Sequence, residues 1–329
     1  MTGNDQHHDR VAPEDPSFAP TAGPVAILPR ENPRFVDAVV AGGGEVQPLS
    51  DETRGIVWLS YGQGELITEI LEAHPAIEWV QLPWAGVDVF APTLQRFSDR
   101  ERLLWTSAKG AYSEPVAEHA LGLTLALLRE LPQKARAAEW NHDKTGTSLF
   151  GARVVIVGAG GIAREIVRLF SLFTQDITII RRAADPVEGA ARTLTTSQLP
   201  DELPLADVVI LAAASTSETA HLIGASELAA MKSTAVLVNI ARGPLIDTTA
   251  LEVALRTGSI AGAGLDVTDP EPLPNEHPLW SIPSCIITSH SADTPEMTAP
   301  LLAQRITRNV VAFTNRGPFV GIVDAKAGY

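Results

Sequence analysis

Cysteine is almost absent from these 329 residues. Cys285 stands alone, so no disulfide can close within the chain and nothing points to an oxidising compartment. Basic residues are also scarce. Twenty-five Lys and Arg face 39 Asp and Glu, a formal charge of -14. That balance argues against nucleic-acid binding, which needs clustered cations to displace counterions. Long apolar runs are missing too: the longest, Ala120 to Leu128, is far short of the ~20 residues that span a bilayer. The opening residues, Met1 to His8, offer no apolar core for a secretion signal. These absences predict a cytoplasmic protein that binds neither membrane nor nucleic acid. What is present is a hydrophobic share of 45%, enough for packed cores that need no metal or disulfide. The length suits two domains of ~150 residues each.

Residues 1–24 carry four prolines among acids and histidines without apolar periodicity, a composition that reads as a flexible arm. His7 and His8, in that tail, read as solvated rather than as metal ligands. From Val25 the chain alternates short apolar runs with amphipathic stretches. Strands are expected at Val25–Leu28, Gly55–Leu59, Ile77–Leu82 and Leu103–Ser107, with helices at Pro33–Ala41 and Gly64–His74 between them. A long helix should open near Ser113, with Pro115 in its first turn, and a second helical stretch should run to about His142. The alternation resumes from Arg153 to about His290, and a last helix is expected from Glu296 to Phe313. Uninterrupted apolar strands separated by helices mean α/β architecture with parallel sheets covered on both faces. No internal repeat is visible.

The strand Arg153–Val157 runs directly into Gly158-Ala159-Gly160-Gly161-Ile162-Ala163, then a helix, then the strand Ile177–Ile180. Gly158 suits a tight turn, and Gly160 lets the backbone approach a pyrophosphate. Gly161 and Ile162 open the helix whose N-terminus would hold it, and Ala163 allows close helix packing. Strand, turn, helix and strand together make this a dinucleotide fingerprint. Its second half departs from the NAD pattern. Where a ribose-binding acid is expected at the end of the second strand, the chain has Arg181-Arg182, and the first acid is Asp185. Arginine favours a 2′-phosphate through charge-assisted contacts, so NADP(H) is favoured over NAD(H).

Three later segments place polar residues just past buried strands, where open α/β sheets bind ligands. They are Asn239-Ile240-Ala241-Arg242-Gly243-Pro244-Leu245-Ile246-Asp247, Leu265-Asp266-Val267-Thr268-Asp269-Pro270-Glu271-Pro272, and Thr288-Ser289-His290. With the glycine loop and the upstream Leu82-Pro83-Trp84-Ala85-Gly86-Val87-Asp88, these motifs resemble the D-isomer-specific 2-hydroxyacid dehydrogenase family, glyoxylate/hydroxypyruvate reductases in particular. The resemblance runs from about Val25 to near the end of the chain.

The resemblance implies a Rossmann cofactor domain, residues 115–294, inserted into a flavodoxin-like substrate domain of residues 25–114 plus 295–329. It implies a homodimer, and a small 2-oxo or 2-hydroxy acid as substrate. His290 would be the general acid and base, paired with Glu271. Arg242 would hold the substrate's carboxylate and polarise its carbonyl. Trp84, Ala85 and Gly86 would form the substrate loop, with backbone amides on the other carboxylate oxygen. Ala241 and Asp266 would lie against the cofactor, Asp266 orienting the nicotinamide carboxamide. Two alternatives on the same fold are a non-catalytic, dinucleotide-sensing corepressor and a phosphoglycerate dehydrogenase. Two positions depart from the family pattern: Ser289 replaces the usual proline before the histidine, and Ala214 replaces one after an earlier strand. His119 reads as a helix residue rather than the catalyst, and Cys285 as a buried structural thiol.

Overall fold

A computed structural model describes residues 11–140, 142 and 144–326. Contacts divide the chain into two units. Unit 1 joins the residues up to Tyr112 to those from Pro295 onward, and unit 2 is Ser113–Thr294.

Unit 1 contains β1 (Val25–Leu28), α1 (Pro33–Ala41), β2 (Gly55–Trp58), α2 (Gly64–Ala73), β3 (Trp79–Gln81), α3 (Ala91–Arg96) and β4 (Leu104–Thr106). The strands are parallel, in the order β1-β2-β3-β4. Val25 turns its N–H and C=O away from β2 to meet Glu45 and Gln47, and a parallel bridge sets Val46 beside it. Counting that short segment as a strand gives the flavodoxin-like order 2-1-3-4-5. Successive side chains of each strand enter opposite cores, which is why the runs are apolar without a break. Val25, Ile27, Val57 and Trp79 join one cluster; Ile56, Trp58, Val80 and Trp105 join the other. Each such fully buried side chain contributes about 1.5–3 kcal/mol. α1 starts where expected because Asn32 Oδ1 accepts the Arg34 N–H at 3.0 Å and Pro33 occupies the first turn.

The arm reading fails for residues 11–24. Glu14 and Phe319 exchange both backbone hydrogen bonds, at 2.8 and 2.9 Å. Phe18 packs on the unit 1 core with the Arg102 guanidinium 5.3 Å from its ring centroid, and the Thr21 N–H donates to Glu78. Every partner lies far away in sequence, so local composition carried no trace of them. His7 and His8 lie outside the described residues.

Unit 2 begins with α4 (Ser113–Leu128) and α5 (Leu131–Ala135). Then come β5 (Val154–Val157), α6 (Gly161–Phe170), β6 (Ile177–Arg181), β7 (Arg192–Thr195), α7 (Leu199–Glu202), β8 (Val208–Leu211), α8 (Ala225–Ala230), β9 (Val236–Asn239), α9 (Thr248–Thr257), β10 (Gly262–Leu265) and β11 (Cys285–Ile287). The last helix, α10 (Pro295–Asn315), belongs to unit 1. The helical stretch expected to reach His142 stops at Ala135. None of α5's residues is buried, so no apolar face carries the helix further. The seven strands are parallel in the order β11-β10-β9-β8-β5-β6-β7, the doubly wound dinucleotide order with one strand added. The order reverses between β5 and β8, and ligands of such sheets bind beyond the strand ends at that point. Alternate residues again feed two cores: Val155, Val157, Val209 and Leu237 face one side, Val154, Ile156, Ile210 and Val238 the other. Among the described residues no helix is long and apolar enough to cross a membrane.

Candidate active site

At the switch point, β5 runs into Gly158, whose φ is 118°. A side chain there would stand 2.3 Å from the Ala212 carbonyl oxygen beyond β8, so only glycine closes this turn. The Gly158 N–H donates to Ile180 O at 2.8 Å, which sets the turn against the end of β6, where Arg181 and Arg182 follow. α6 starts at Gly161 with Gly160 as its N-cap, no side-chain cap and no acid in the first turn. The space a Cβ of Gly160 would occupy has no atom within 4 Å, while Ala163 is fully buried against the sheet. Uncapped amides, open space and absent acids fit a pyrophosphate. Arg181 is partly exposed; it donates to Asp185 O at 3.4 Å and lies 4.0 Å from the Asp185 carboxylate. The end of β6 carries Arg181, with Arg182 after it, where an acid is expected for a ribose.

Past β9, the Asn239 side chain folds the next turn. Its amide donates to Arg242 O at 2.9 Å, and its oxygen accepts the Ala241 N–H at 3.1 Å. Arg242 is half-buried and donates to Ala241 O at 2.7 Å. Gly243 behind it lies so close to the Thr268 backbone that a Cβ would stand 1.9 Å from Thr268 O. That contact brings the Arg242 turn against the loop that carries Glu271.

Past β11, His290 Nδ1 and Glu271 Oε1 are 2.7 Å apart, with both side chains close to half exposed. Glu271 therefore fixes one ring nitrogen and leaves Nε2 for other partners. The His290 N–H donates to Asp266 O at 2.6 Å. The Asp266 side chain is 2% exposed. Its Oδ1 accepts Thr288 Oγ1 at 2.6 Å and the Ser291 N–H at 2.9 Å, and its Oδ2 accepts the Ala292 N–H at 3.2 Å. The carboxylate thus caps the turn that bears His290. Asp293 completes the cluster: burial pushes its carboxyl up, opposed by His290 and reinforced by Asp266.

In unit 1, Trp84 of the loop after β3 packs edge-on against Tyr61, ring centroids 5.5 Å apart, and against Tyr112 at 6.2 Å. The Tyr112 hydroxyl donates to Pro83 O at 2.6 Å, and Ala85 and Gly86 follow partly exposed. Among the described residues no group of three or more His, Cys, Asp or Glu is placed to hold a metal ion.

Residues 121–292 match the family model described as D-isomer specific 2-hydroxyacid dehydrogenase, NAD binding domain. The chain belongs to this family. A glyoxylate reductase of Thermofilum pendens is 32% identical over 255 residues, 74% of each chain. An uncharacterised protein of Corynebacterium melassecola is 34% identical over 304 residues, 89% of this chain and 95% of its own. Among solved structures, a D-isomer specific 2-hydroxyacid dehydrogenase of Xanthobacter autotrophicus in complex with NADPH and MES is similar. It is 25% identical with a TM-score of 0.78, covering 94% of this chain and 100% of that one. The family fold and its nicotinamide dinucleotide chemistry follow.

Against the 2-hydroxyacid dehydrogenase pattern, the Ser289 departure has a geometric counterpart. Ser289 and His290 have φ of 51° and 53°, a left-handed conformation that proline's ring forbids. One participant went unrecognised in the sequence. His119 reads there as a helix residue rather than the catalyst, yet its Nε2 lies 2.9 Å from Thr288 Oγ1. Only the glutamate–histidine–alanine stretch Glu118-His119-Ala120 of α4 hinted at more than packing. Trp280 donates its indole N–H to Pro274 O at 2.9 Å.

Proposed function

We propose that this chain reduces a small 2-oxo acid, glyoxylate or hydroxypyruvate, to the D-2-hydroxy acid and catalyses the reverse, with NADPH preferred over NADH. The observation that carries the reading is the His290–Glu271 pair at 2.7 Å, set beyond the strand ends of a dinucleotide-type sheet and beside the Arg242 turn. The reduced dinucleotide, when bound, supplies the hydride. Gly158, Gly160, Gly161 and Ile162 would hold its pyrophosphate, Ala241 and Asp266 its nicotinamide end, and Arg181 and Arg182 a 2′-phosphate.

Glu271 orients the imidazole through Nδ1, so Nε2 is the atom that gives its proton to the substrate oxygen in reduction and takes it back in oxidation. The Arg242 guanidinium provides a fixed positive charge and a planar fork suited to a carboxylate next to a polarised carbonyl. In unit 1, the resemblance assigns the Ala85 and Gly86 amides and Trp84 to the substrate. The NADPH reading is supported by the arginines at the end of β6 and by the NADPH complex of the Xanthobacter relative. Self-association as a homodimer is supported by apolar residues left exposed in unit 2, among them Trp140, Phe150 and Leu172.

Steady-state assays over a panel of 2-oxo acids with both dinucleotides test this reading. Turnover of glyoxylate or hydroxypyruvate with the lower KM for NADPH is expected. Replacing Arg181 and Arg182 together by alanine should raise the NADPH KM about 10-fold or more and leave that for NADH near its starting value. A lower KM for NADH in the unaltered protein sinks the preference. Tight dinucleotide binding with no turnover on any acid sinks the enzyme and favours a dinucleotide-sensing role.

A further inference from the structure

We propose that His119 is a positioning residue for the His290 turn, acting through Thr288; the proposal rests on His290 being the proton donor. The polarity of the hydrogen bonds fixes how the chain of groups must run. The Thr288 hydroxyl has one proton to give. Its oxygen lies 2.6 Å from Asp266 Oδ1, and an ionised carboxylate only accepts, so that proton points to Asp266. His119 Nε2, 2.9 Å from the same hydroxyl oxygen, must then be the donor. The order is His119 Nε2–H to Thr288 O–H to Asp266 Oδ1, and His119 Nε2 also lies 3.6 Å from that carboxylate oxygen directly.

What this chain holds is the turn bearing His290. Asp266 takes the backbone N–H groups of Ser291 and Ala292 on its two carboxylate oxygens and that of His290 on its carbonyl. Ser289 and His290 between them are left-handed, a conformation L side chains seldom adopt unless their surroundings impose it. Asp266 follows β10 and Thr288 follows β11, both loop positions. His119, by contrast, stands in α4, a helix of 16 residues whose buried face includes Val116, Ala117, Ala120 and Leu123. The histidine thus ties a strained loop to a rigid element in unit 2, the arrangement that keeps a reacting group in register. Glu271, bonded to His290 itself, and Asp293, which feels both His290 and Asp266, are the other ionisable groups facing this turn among the described residues.

The test uses the full-length protein carrying His119→Leu, His119→Gln, Thr288→Val or Thr288→Ser. Folding of each is checked by thermal melting and dinucleotide binding. The Leu and Val variants should lower kcat for glyoxylate about 10-fold or more while KM and dinucleotide Kd stay within about 2-fold. The Gln and Ser variants, which restore a donor at His119 and a hydroxyl at Thr288, should recover most of that loss. Imidazole NMR of the resting protein is the second readout. His119 should carry its proton on Nε2, and in Thr288→Val that proton should exchange with solvent faster. Unchanged kcat in folded His119→Leu and Thr288→Val overturns the proposal, as does a His119 ring protonated on Nδ1 alone. If the unaltered protein turns over no 2-oxo acid while the NMR signature is present, the proton-donor reading falls instead.

Discussion

Replacing Gly243 by alanine drives a wedge between the two loops that carry Arg242 and Glu271. The added methyl would stand 1.9 Å from Thr268 O, 2.1 Å from Thr268 C and 2.7 Å from Asp269 N. Every obstacle is backbone, so no rotamer change relieves the contact. Carbon and oxygen come to rest about 3 Å apart or more, and one loop must therefore retreat by about 1 Å. Overpacking of this kind costs about 1–3 kcal/mol. At about 2–4 °C per kcal/mol for a unit of this size, melting should fall by roughly 2–12 °C. The larger effect should be on turnover, because a displacement of about 1 Å in a reacting constellation costs on the order of 100-fold. The assay pairs glyoxylate turnover with dinucleotide Kd and thermal melting, beside a Gly122→Ala control. Gly122 is an exposed helical residue with no atom within 4 Å of an added Cβ, so alanine there should stabilise by about 0.5–1 kcal/mol and leave kcat unchanged. A Gly243→Ala protein with the unaltered protein's kcat and melting temperature would refute the reasoning.

Two other substitutions and one labelling experiment extend the account. Arg242→Ala should both raise KM and lower kcat, each by about 10-fold or more, and Arg242→Lys should recover only part because a point charge lacks the planar fork; a KM effect alone would limit Arg242 to ground-state binding. Burial pushes the Cys285 thiol up to about 12. At pH 8 only about one molecule in 10,000 would then be thiolate, so a thiol reagent should label the native protein far more slowly than the unfolded one. Rapid labelling of the folded protein would contradict that environment.

Legibility in the sequence followed locality. α1 appears at Pro33–Ala41 as expected because its cap, its proline and the glycines after it are neighbours in sequence. The strand–turn–helix–strand of the dinucleotide fingerprint was readable for the same reason. The pairing of Glu271 with His290 was reached only through resemblance, since nothing in their separation of 19 residues dictates contact. What escaped was non-local. Residues 11–24 find partners at Glu78, Arg102 and Phe319, and a proline-rich composition cannot announce pairing with the other end of the chain. α5 stops early because none of its residues is buried, so no packing carries the helix further. Asp266 was readable as an important acid, yet its hydrogen bonds to the 288–292 turn became visible only once β10 and β11 stood side by side. His119 was set aside because a lone helical histidine usually packs; its bond to Thr288 crosses 169 residues.

The most direct test of the central claim is the loss of reduced nicotinamide absorbance with glyoxylate and NADPH, measured for the unaltered protein and for His290→Ala alongside dinucleotide Kd. The account predicts steady turnover in the first, and in the second a kcat lower by about 100-fold or more with dinucleotide affinity within about 2-fold. Equal turnover in the two proteins would contradict it.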